Sequence, residues 1–556
     1  MRLNFITLLF FLSSVETNAQ QKFWVFFTDK EGVEFDPYTY FDEKAIQRRL
    51  REGLSIYDMS DFPVNANYID QVKMLADSIG AVSRWFNAVS SYISDDKFSA
   101  IASLPCVLRM EPVCEYQTEL SSSEQNWEPD EPDLEKIRFG QIESLGAYSF
   151  RKRNIDGAGV RIAILDAGFK GFQTAGPLKH LRESNRVIAT YDFIGNKKFV
   201  FDFSDHGTEV TTCVAGILDD KRYGMATGSE FLLARTERSR GGTRTDEDHW
   251  IASLEWADKW GADMINSSLG YTIQLYFRHQ LDGQHSMISR AATMAISKGI
   301  MVISSAGNEG QSNWELISVP ADADSVLTIG AIDPWTGMHS DFSSYGPTFD
   351  LRMKPNLVAF GYAVVEQNGE EYLASGTSFA APLVAGLAAC IRQQNPNWTC
   401  QELFQNIECS GHLYPYYDYA HGHGIPNAKY FTEDYTEPLN CPECFKLEYN
   451  KKYGSSWEGY GPSLRVELDT LCLQGLIPVK MEDWENLENY SEKAPLWYFH
   501  LAEADGFIQQ YFVAEASNEM KLFYLDKIPN DSRILRIFYD GHHIVIPVSQ
   551  IAMKDE

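Results

Sequence analysis

Residues 375–389 read SGTSFAAPLVAGLAA, in which a serine lies between small residues and precedes an apolar run. Gly376 allows a tight backbone approach, and the small residues after Ser378 predict the start of a buried helix. Ser378 would then lie at the helix N-terminus, where free N–H groups and the helix dipole favour negative charge. This position suits a nucleophile and its oxyanion, but a serine that merely caps a buried helix is an equal alternative.

Three further segments could complete a nucleophilic site, since a hydroxyl needs a base, a group that orients the base, and donors for the oxyanion. His206 in DHGTEV could be the base, and Asp166 at the end of GVRIAILDA could orient it. Asn308 in SSAGNEG could donate its side-chain N–H to the oxyanion. Taken singly, each has an ordinary structural explanation as a surface histidine, a turn aspartate or a turn asparagine. If all of these structural explanations were correct, the residues of a nucleophilic site would occur together and in a fixed order by coincidence.

The region from 137 to 432 alternates strand and helix patterns and predicts an α/β domain with a mostly parallel sheet and helices on both faces. The segment TDEDHWIASLEWADKWG is typical of a helix with Thr245 as N-cap and Gly261 as terminator. Ligands of such sheets bind beyond the carboxyl ends of the strands. Asp166 and Asn308 are predicted to lie there.

The flanking regions have other patterns. Residues 20–116 predict a small α+β domain, with a helix over ANYIDQVKMLADSIG that ends at Gly80. Residues 117–136 are polar and acidic and indicate a linker. Residues 440–556 predict a β-rich domain, in which RILRIFYDGHHIVIPV forms a hairpin. This last domain could stabilise the protein, bind substrate, attach it to a surface or simply support packing.

The GTSFAAP block, with HGT and the Asp-Ala-Gly block before it, resembles the subtilisin-like (subtilase) serine peptidases. The Asp, His, Ser order is the one found in subtilisins. The resemblance covers residues 137–432 and implies a serine endopeptidase that forms an acyl-enzyme. It implies that Asp166 orients His206, that His206 activates Ser378, and that Asn308 helps to form the oxyanion hole. It also implies that Ser268-Leu269-Gly270 is an edge strand that pairs with the substrate backbone. Together with Ala306-Gly307, this segment is expected to wall the pocket for the residue before the cut.

The resemblance leaves two competing functions to be weighed. Ala167 stands where the family often has Thr or Ser, yet every catalytic position is filled, which counts against an inactive binding or adhesion protein. An α/β-hydrolase esterase is expected to carry its serine in a Gly-x-Ser-x-Gly motif. Ser378 lies in Gly-Thr-Ser-Phe-Ala instead, which argues against an esterase of this kind. Residues 20–116 loosely resemble a subtilase propeptide, which would be an intramolecular inhibitor cleaved from the enzyme within 117–136.

The first 19 residues predict a signal peptide and therefore a secreted or cell-surface protein. Arg2 precedes a short apolar stretch, and Thr17-Asn18-Ala19 provides a small-residue cleavage site. A buried N-terminal helix is the alternative. The apolar stretch is too short to cross a bilayer, so we expect no transmembrane segment. The net charge of −29 and pI near 4.8 argue against nucleic acid as a partner.

The sequence gives little support for a metal site. His421 and His423, with His412, suggest a metal, but no cysteine or acid spacing completes a zinc site, and a glycine-rich turn explains them better. The resemblance makes calcium conceivable, but no loop shows a specific ligand pattern. We therefore expect no required cofactor. The odd count of nine cysteines leaves at least one unpaired within the chain, and Cys441 and Cys444 suggest a local disulfide or two unrelated thiols.

Overall fold

The computed structural model describes most of the chain, namely residues 20–113, 133–238, 244–272, 276–367, 369–432, 439–440, 445–450, 463–468, 496–515, 520–524, 532–539, 541–550 and 552–554. The expected signal peptide, most of the expected linker, and Cys441 with Cys444 lie outside these residues. Among the described helices, none has the length and apolar character needed to cross a membrane. The chain divides into two compact units: Met1–Phe35 with Asp58–Tyr116, and Asp36–Tyr57 with Gln117–Glu556.

The N-terminal region contributes to both units. Its elements are β1 (Gln20–Phe27), α1 (Pro37–Tyr40), α2 (Glu43–Arg51), α3 (Ala66–Leu75), β2 (Ser78–Ser83), β3 (Ala88–Ser94), α4 (Asp95–Ala102) and β4 (Val107–Val113). The four strands form an antiparallel sheet in the order β2-β3-β1-β4. Helices α1 and α2 belong to the second unit, although the sequence boundaries place them inside the 20–116 domain. The remaining domain boundaries stay predictions.

Two predicted helix boundaries are wrong. Gly80 does not end a helix, because α3 stops at Leu75 and Gly80 lies within β2. Pairing of β2 with β3 overrides the helical pattern there. Thr245 is not an N-cap, because its helix already begins at Arg244 and Thr245 lies in the first turn.

The second unit continues with a run of strands and helices that alternate along the chain. They are α5 (Leu134–Glu143), α6 (Ala147–Arg151), β5 (Arg161–Asp166), α7 (Lys179–Glu183), β6 (Val187–Asp192), α8 (His206–Ala215), β7 (Ile217–Leu218), β8 (Lys221–Arg222), β9 (Glu230–Arg235), α9 (Arg244–Lys259), β10 (Met264–Ser267), α10 (Met287–Ser297), β11 (Met301–Ser305), β12 (Leu327–Ile332), β13 (Leu357–Phe360), β14 (Tyr362–Gln367), β15 (Glu370–Ser375), α11 (Thr377–Gln394) and α12 (Cys400–Cys409).

Seven of these strands form one parallel sheet in the order β13-β12-β11-β10-β5-β9-β6. Ile162 and Ile164 of β5 pack into the large apolar cluster that includes α8 and α11. The alternate residue Leu165 points to the other face and is also buried. Ser267, its partner on β10, accepts a hydrogen bond from the Trp250 indole of α9. Helices therefore cover both faces, as predicted from the alternating pattern.

The C-terminal region is β-rich, as predicted. Its strands are β16 (Leu439–Asn440), β17 (Phe445–Asn450), β18 (Ser463–Leu468), β19 (Leu496–Ala502), β20 (Ile508–Glu515), β21 (Met520–Tyr524), β22 (Ile534–Tyr539), β23 (His542–Pro547) and β24 (Ala552–Lys554). They form one five-stranded and one four-stranded sheet. The predicted hairpin is confirmed, since β22 and β23 pair antiparallel.

An aromatic cluster packs the five-stranded sheet against the loop that follows α12. Tyr498 of β19 is buried against Leu413, Tyr416 and Phe538. Its ring centroid lies 5.8 Å from that of Tyr416 and 6.1 Å from that of Phe538. The described part of this β-rich region therefore shares a core with the α/β domain.

We predict that Tyr498→Ala lowers the free energy of unfolding by about 3–5 kcal/mol, because it leaves a cavity in this shared cluster. Urea unfolding followed by near-UV circular dichroism measures the loss. The control is Val545→Ala on β23, whose side chain is 42% exposed, and it should cost less than about 0.5 kcal/mol. Equal, small losses for both variants would show that the cluster contributes little to stability.

Candidate active site

Asp166 and His206 form a close pair at the carboxyl end of the central strand β5. Asp166 is its last residue and is fully buried, and His206 is the first residue of α8. The Nδ1 atom of His206 lies 2.9 and 3.0 Å from the two Asp166 carboxylate oxygens. An ionised carboxylate only accepts hydrogen bonds, so Nδ1 carries the proton and donates it. This fixes the ring orientation and leaves Nε2 as the atom that can accept a proton.

The charges around His206 change its pKa. Burial alone would lower that pKa, but the charge and hydrogen bond of Asp166, aided by Glu209 and Glu237, raise it to about 9. Glu209 lies one turn along α8 and accepts a hydrogen bond from the Tyr372 hydroxyl of β15. The imidazole therefore lies among carboxylates that favour its protonated form.

Ser378 lies in the first turn of α11, as predicted, and is partly exposed. Its hydroxyl donates to the backbone carbonyl of Ser268 at 3.2 Å, while the Ser268 hydroxyl donates to the Ser378 carbonyl at 2.8 Å. The neighbouring Phe379 ring packs edge-on against the His206 ring, with centroids 5.6 Å apart. Ser378 is thus held against Ser268, and the next residue along the chain contacts the His206 ring.

Asn308 follows β11, and its side-chain oxygen accepts from the Thr377 backbone N–H and the Thr377 hydroxyl, both at 2.9 Å. Because its oxygen is engaged, the Nδ2 group is oriented away from Thr377. A β-carbon on Gly376 would lie 3.3 Å from Asn308 Nδ2 and 3.7 Å from the Ser378 backbone nitrogen. The glycine therefore leaves open space that both N–H donors border.

The two predicted substrate segments meet at one buried residue, Ser318. A β-carbon on Gly270 would approach the Ser318 hydroxyl to 2.2 Å, and one on Gly307 would approach it to 3.2 Å. Ser318 donates through both its backbone N–H and its hydroxyl to the Ala306 carbonyl. The Leu269 side chain is buried and only 8% exposed. Any contribution it makes to a peptide-binding edge comes through its backbone.

Sequence reasoning missed several supporting residues. Thr377 lies inside the GTSFAAP block and its role in holding Asn308 could have been suspected from that position. Glu209 lies one turn after His206, and the 3.6-residue helix period could have placed it on the same side. Ser318 and Tyr372 lie in segments without a distinctive pattern, so only the folded chain reveals them.

The histidines considered for metal binding have separate partners. His421 Nδ1 contacts Asp418, His423 Nδ1 contacts the Tyr416 carbonyl, and His412 Nδ1 accepts from the Ile425 N–H. Within the part of the chain that the structure describes, no three His, Cys, Asp or Glu side chains converge as metal ligands would. Five described cysteines are free thiols: Cys106, Cys213, Cys390, Cys400 and Cys409.

Two family profiles match the chain. The profile described as "Subtilase family" matches residues 157–424, which contain Asp166, His206, Asn308 and Ser378. The profile described as "Peptidase S8 propeptide domain, Bacteroidota" matches residues 22–130. The first match lies within the expected peptidase region, and the second covers most of the expected propeptide region and extends into the expected linker.

Curated relatives support the same assignment. A thermophilic serine proteinase of Bacillus sp. (strain AK1) is 30% identical over 52% of this chain and 66% of its own length. The serine protease AprX of Bacillus subtilis (strain 168) is 30% identical over 45% of this chain and 61% of its own length. The chain thus spans less than two thirds of these two relatives. Subtilisin DY of Bacillus licheniformis is 30% identical, and the match covers 47% of this chain and 87% of that subtilisin. The chain therefore belongs to the subtilase family and carries a propeptide domain ahead of its peptidase domain.

Proposed function

We propose that this protein is a secreted serine endopeptidase in which Asp166, His206 and Ser378 act as a catalytic triad. The observation that carries the proposal is the buried Asp166 carboxylate held 2.9 Å from His206 Nδ1 at the carboxyl edge of the sheet, with Ser378 in the first turn of α11. Such a pair directs Nε2 of the imidazole outward as a general base. The expected signal peptide supports export.

In the acylation step the Ser378 hydroxyl attacks the carbonyl carbon of the scissile peptide bond. A rotation about the Ser378 side-chain torsion would release its hydrogen bond to the Ser268 carbonyl and turn the hydroxyl toward Nε2 of His206. His206 then takes the hydroxyl proton and passes it to the leaving amine as the C–N bond breaks. In deacylation a water molecule gives a proton to His206 and attacks the acyl carbonyl carbon. His206 then returns the proton to the Ser378 oxygen as the ester bond breaks, which releases the second product.

The tetrahedral intermediates carry a negative oxygen, which needs preorganised donors. Asn308 Nδ2 and the Ser378 backbone N–H border the space left open by Gly376 and suit this role. The N-terminus of the 18-residue helix α11 adds a favourable dipole. Thr377 acts indirectly, since its two hydrogen bonds hold the Asn308 side chain in place.

The substrate is an extended polypeptide that pairs with the backbone of residues 268–270. Such pairing draws affinity from main-chain hydrogen bonds and selectivity from adjacent pockets. Ala306, Gly307 and Gly270 around Ser318 would line the pocket for the residue before the cut. The propeptide domain is the intramolecular inhibitor of this cleft, and cleavage within 117–136 cuts the chain between it and the peptidase domain.

We predict that a fluorophosphonate probe labels the protein and that Ser378→Ala abolishes the labelling and lowers peptide hydrolysis by about 10⁵-fold or more. Ser375→Ala, at an exposed serine three residues earlier, is the matched control and should retain both. Absence of labelling in the wild type would favour an inactive binding protein. Labelled protein that cleaves esters but no peptides would favour an esterase.

The pH profile tests the role of the acid and the base together. Because the His206 pKa is raised to about 9, the unprotonated base is lost as the pH falls below that value, so kcat/KM should decline from pH 9 toward pH 6. Asp166→Asn should lower kcat by about 10⁴-fold and shift the decline to lower pH. Asp202→Asn, at an exposed carboxylate, should leave the profile unchanged. A wild-type rate that stays flat down to pH 4 contradicts the assignment.

We predict that the purified enzyme trims itself within residues 117–136, whereas Ser378→Ala keeps the N-terminal region attached. Intact-mass measurement of both proteins, expressed without added protease, locates the cut. The same trimmed N-terminus in both would show that another protease makes it.

A further inference from the structure

A segment from inside the propeptide region packs as part of the peptidase domain. We call Asp36–Tyr57 the anchor segment; it lies within the propeptide match of 22–130 but belongs to the compact unit that contains the peptidase domain. It carries α1 and α2, and the buried face of α2 includes two arginines, Arg48 and Arg49. These arginines are 0% and 1% exposed, which is unusual for a cation and requires dedicated partners.

One buried carboxylate holds both guanidinium groups. Asp258, near the end of α9 and 0% exposed, forms an ion pair with Arg48 through one oxygen and with Arg49 through the other at 3.0 Å. Arg48 also donates to the backbone carbonyls of Ala262 and, at 3.0 Å, Lys298. Removal of either partner of such an ion pair leaves the other charge buried without compensation, which is strongly destabilising. The stability of α2 and that of the region around Asp258 are therefore coupled.

Further polar contacts surround this centre. Arg51 pairs with Asp263 at 3.2 Å, and the Asp42 carboxylate of the segment pairs with Arg161 at 3.0 Å. Lys44 forms an ion pair with Glu230 at 3.0 Å. The Glu52 carboxylate accepts a hydrogen bond at 2.9 Å from the backbone N–H of Cys400, the first residue of α12. Between Asp42 and Glu52 the segment therefore faces complementary charges and hydrogen-bond partners.

The peptidase domain also has the shape to receive the segment. A β-carbon on Gly261 would lie 2.7 Å from the Lys44 β-carbon, and one on Gly299 would lie 2.3 Å from Glu52 Cγ. The α2 helix has nine residues, which is too short for stability in water by itself. Its helical structure therefore depends on this docking.

The docking site lies at the amino-terminal edge of the parallel sheet. Arg161 is the first residue of β5, and Asp263 directly precedes β10. The proposed catalytic groups lie at the other edge, with Asp166 as the last residue of β5 and Ser268 just after β10. Five residue steps along β5 separate the two edges by about 17 Å. Occupation of the docking site therefore does not depend on occupation of the catalytic cleft.

We propose that the anchor segment is a permanent component of the peptidase domain, which retains the N-terminal fragment after the chain is cut between the two. Both ends of the anchor segment continue into the first compact unit, at Phe35 and at Asp58, so that unit stays tethered as well. If the proposed inhibition is correct, release from the cleft would leave the inhibitor nearby at a high effective concentration. Full activation would then require destruction of the tethered unit rather than its dissociation.

The test does not need an active enzyme. A recognition sequence for a site-specific protease is placed within residues 117–131 of full-length Ser378→Ala protein, which is folded, cut and diluted. Size-exclusion chromatography then measures how fast the N-terminal fragment leaves. We expect the wild-type anchor to retain the fragment for hours, and Arg48→Met with Arg49→Met to release it about 100-fold faster or more. Arg109→Met, at a 45% exposed arginine outside the anchor, is the control.

Equal release rates for the double variant and the control would overturn the proposal, as would prompt loss of the fragment with the native anchor. If the double variant does not fold, hydrogen exchange of the cut native-anchor protein decides. Protection of residues 43–51 that survives cutting supports the anchor, and its loss while the fragment remains bound overturns it. Since neither fragment release nor hydrogen exchange measures catalysis, these results are independent of whether the proposed function is correct.

Discussion

The hydrogen-bonded contact between the buried Asp166 carboxylate and the His206 imidazole is the constraint around which this site is organised. A carboxylate with no solvent exposure is costly unless it is paired, and here both of its oxygens face one ring nitrogen. That pairing orients the imidazole and, against the effect of burial, raises its pKa to about 9. The parallel sheet makes the contact possible, because β5 ends where α8 begins its first turn.

Much of the fold followed from pattern alone. The alternation of apolar strands and helices predicted the parallel sheet, and the motif around Ser378 predicted a serine in the first turn of a long buried helix. The prediction at Gly80 is wrong because strand pairing is decided by neighbours outside the local pattern, here β3. The prediction at Thr245 is wrong as well, since the helix begins at Arg244. The hydrogen bond from the Ser318 hydroxyl to the Ala306 carbonyl could not be predicted either, since neither segment carries a pattern that indicates its partner.

The anchor segment shows the same limit of local reasoning. Nothing in its sequence indicates that Arg48 and Arg49 share a carboxylate located more than 200 residues away. Long-range ion pairs of this kind leave no periodic signal. In the proposals made above, the amino edge of the sheet retains the propeptide region and the carboxyl edge carries the chemistry, so one domain would have two separate tasks.

A crystal structure of the protein after reaction with a peptidyl phosphonate tests the account most directly. The account predicts a covalent bond from Ser378 Oγ to phosphorus. It also predicts a phosphonyl oxygen about 2.7–3.1 Å from both Asn308 Nδ2 and the Ser378 backbone nitrogen, with the peptide extended along residues 268–270. Phosphorus on another residue, or an oxygen that points to solvent away from Asn308, would contradict it.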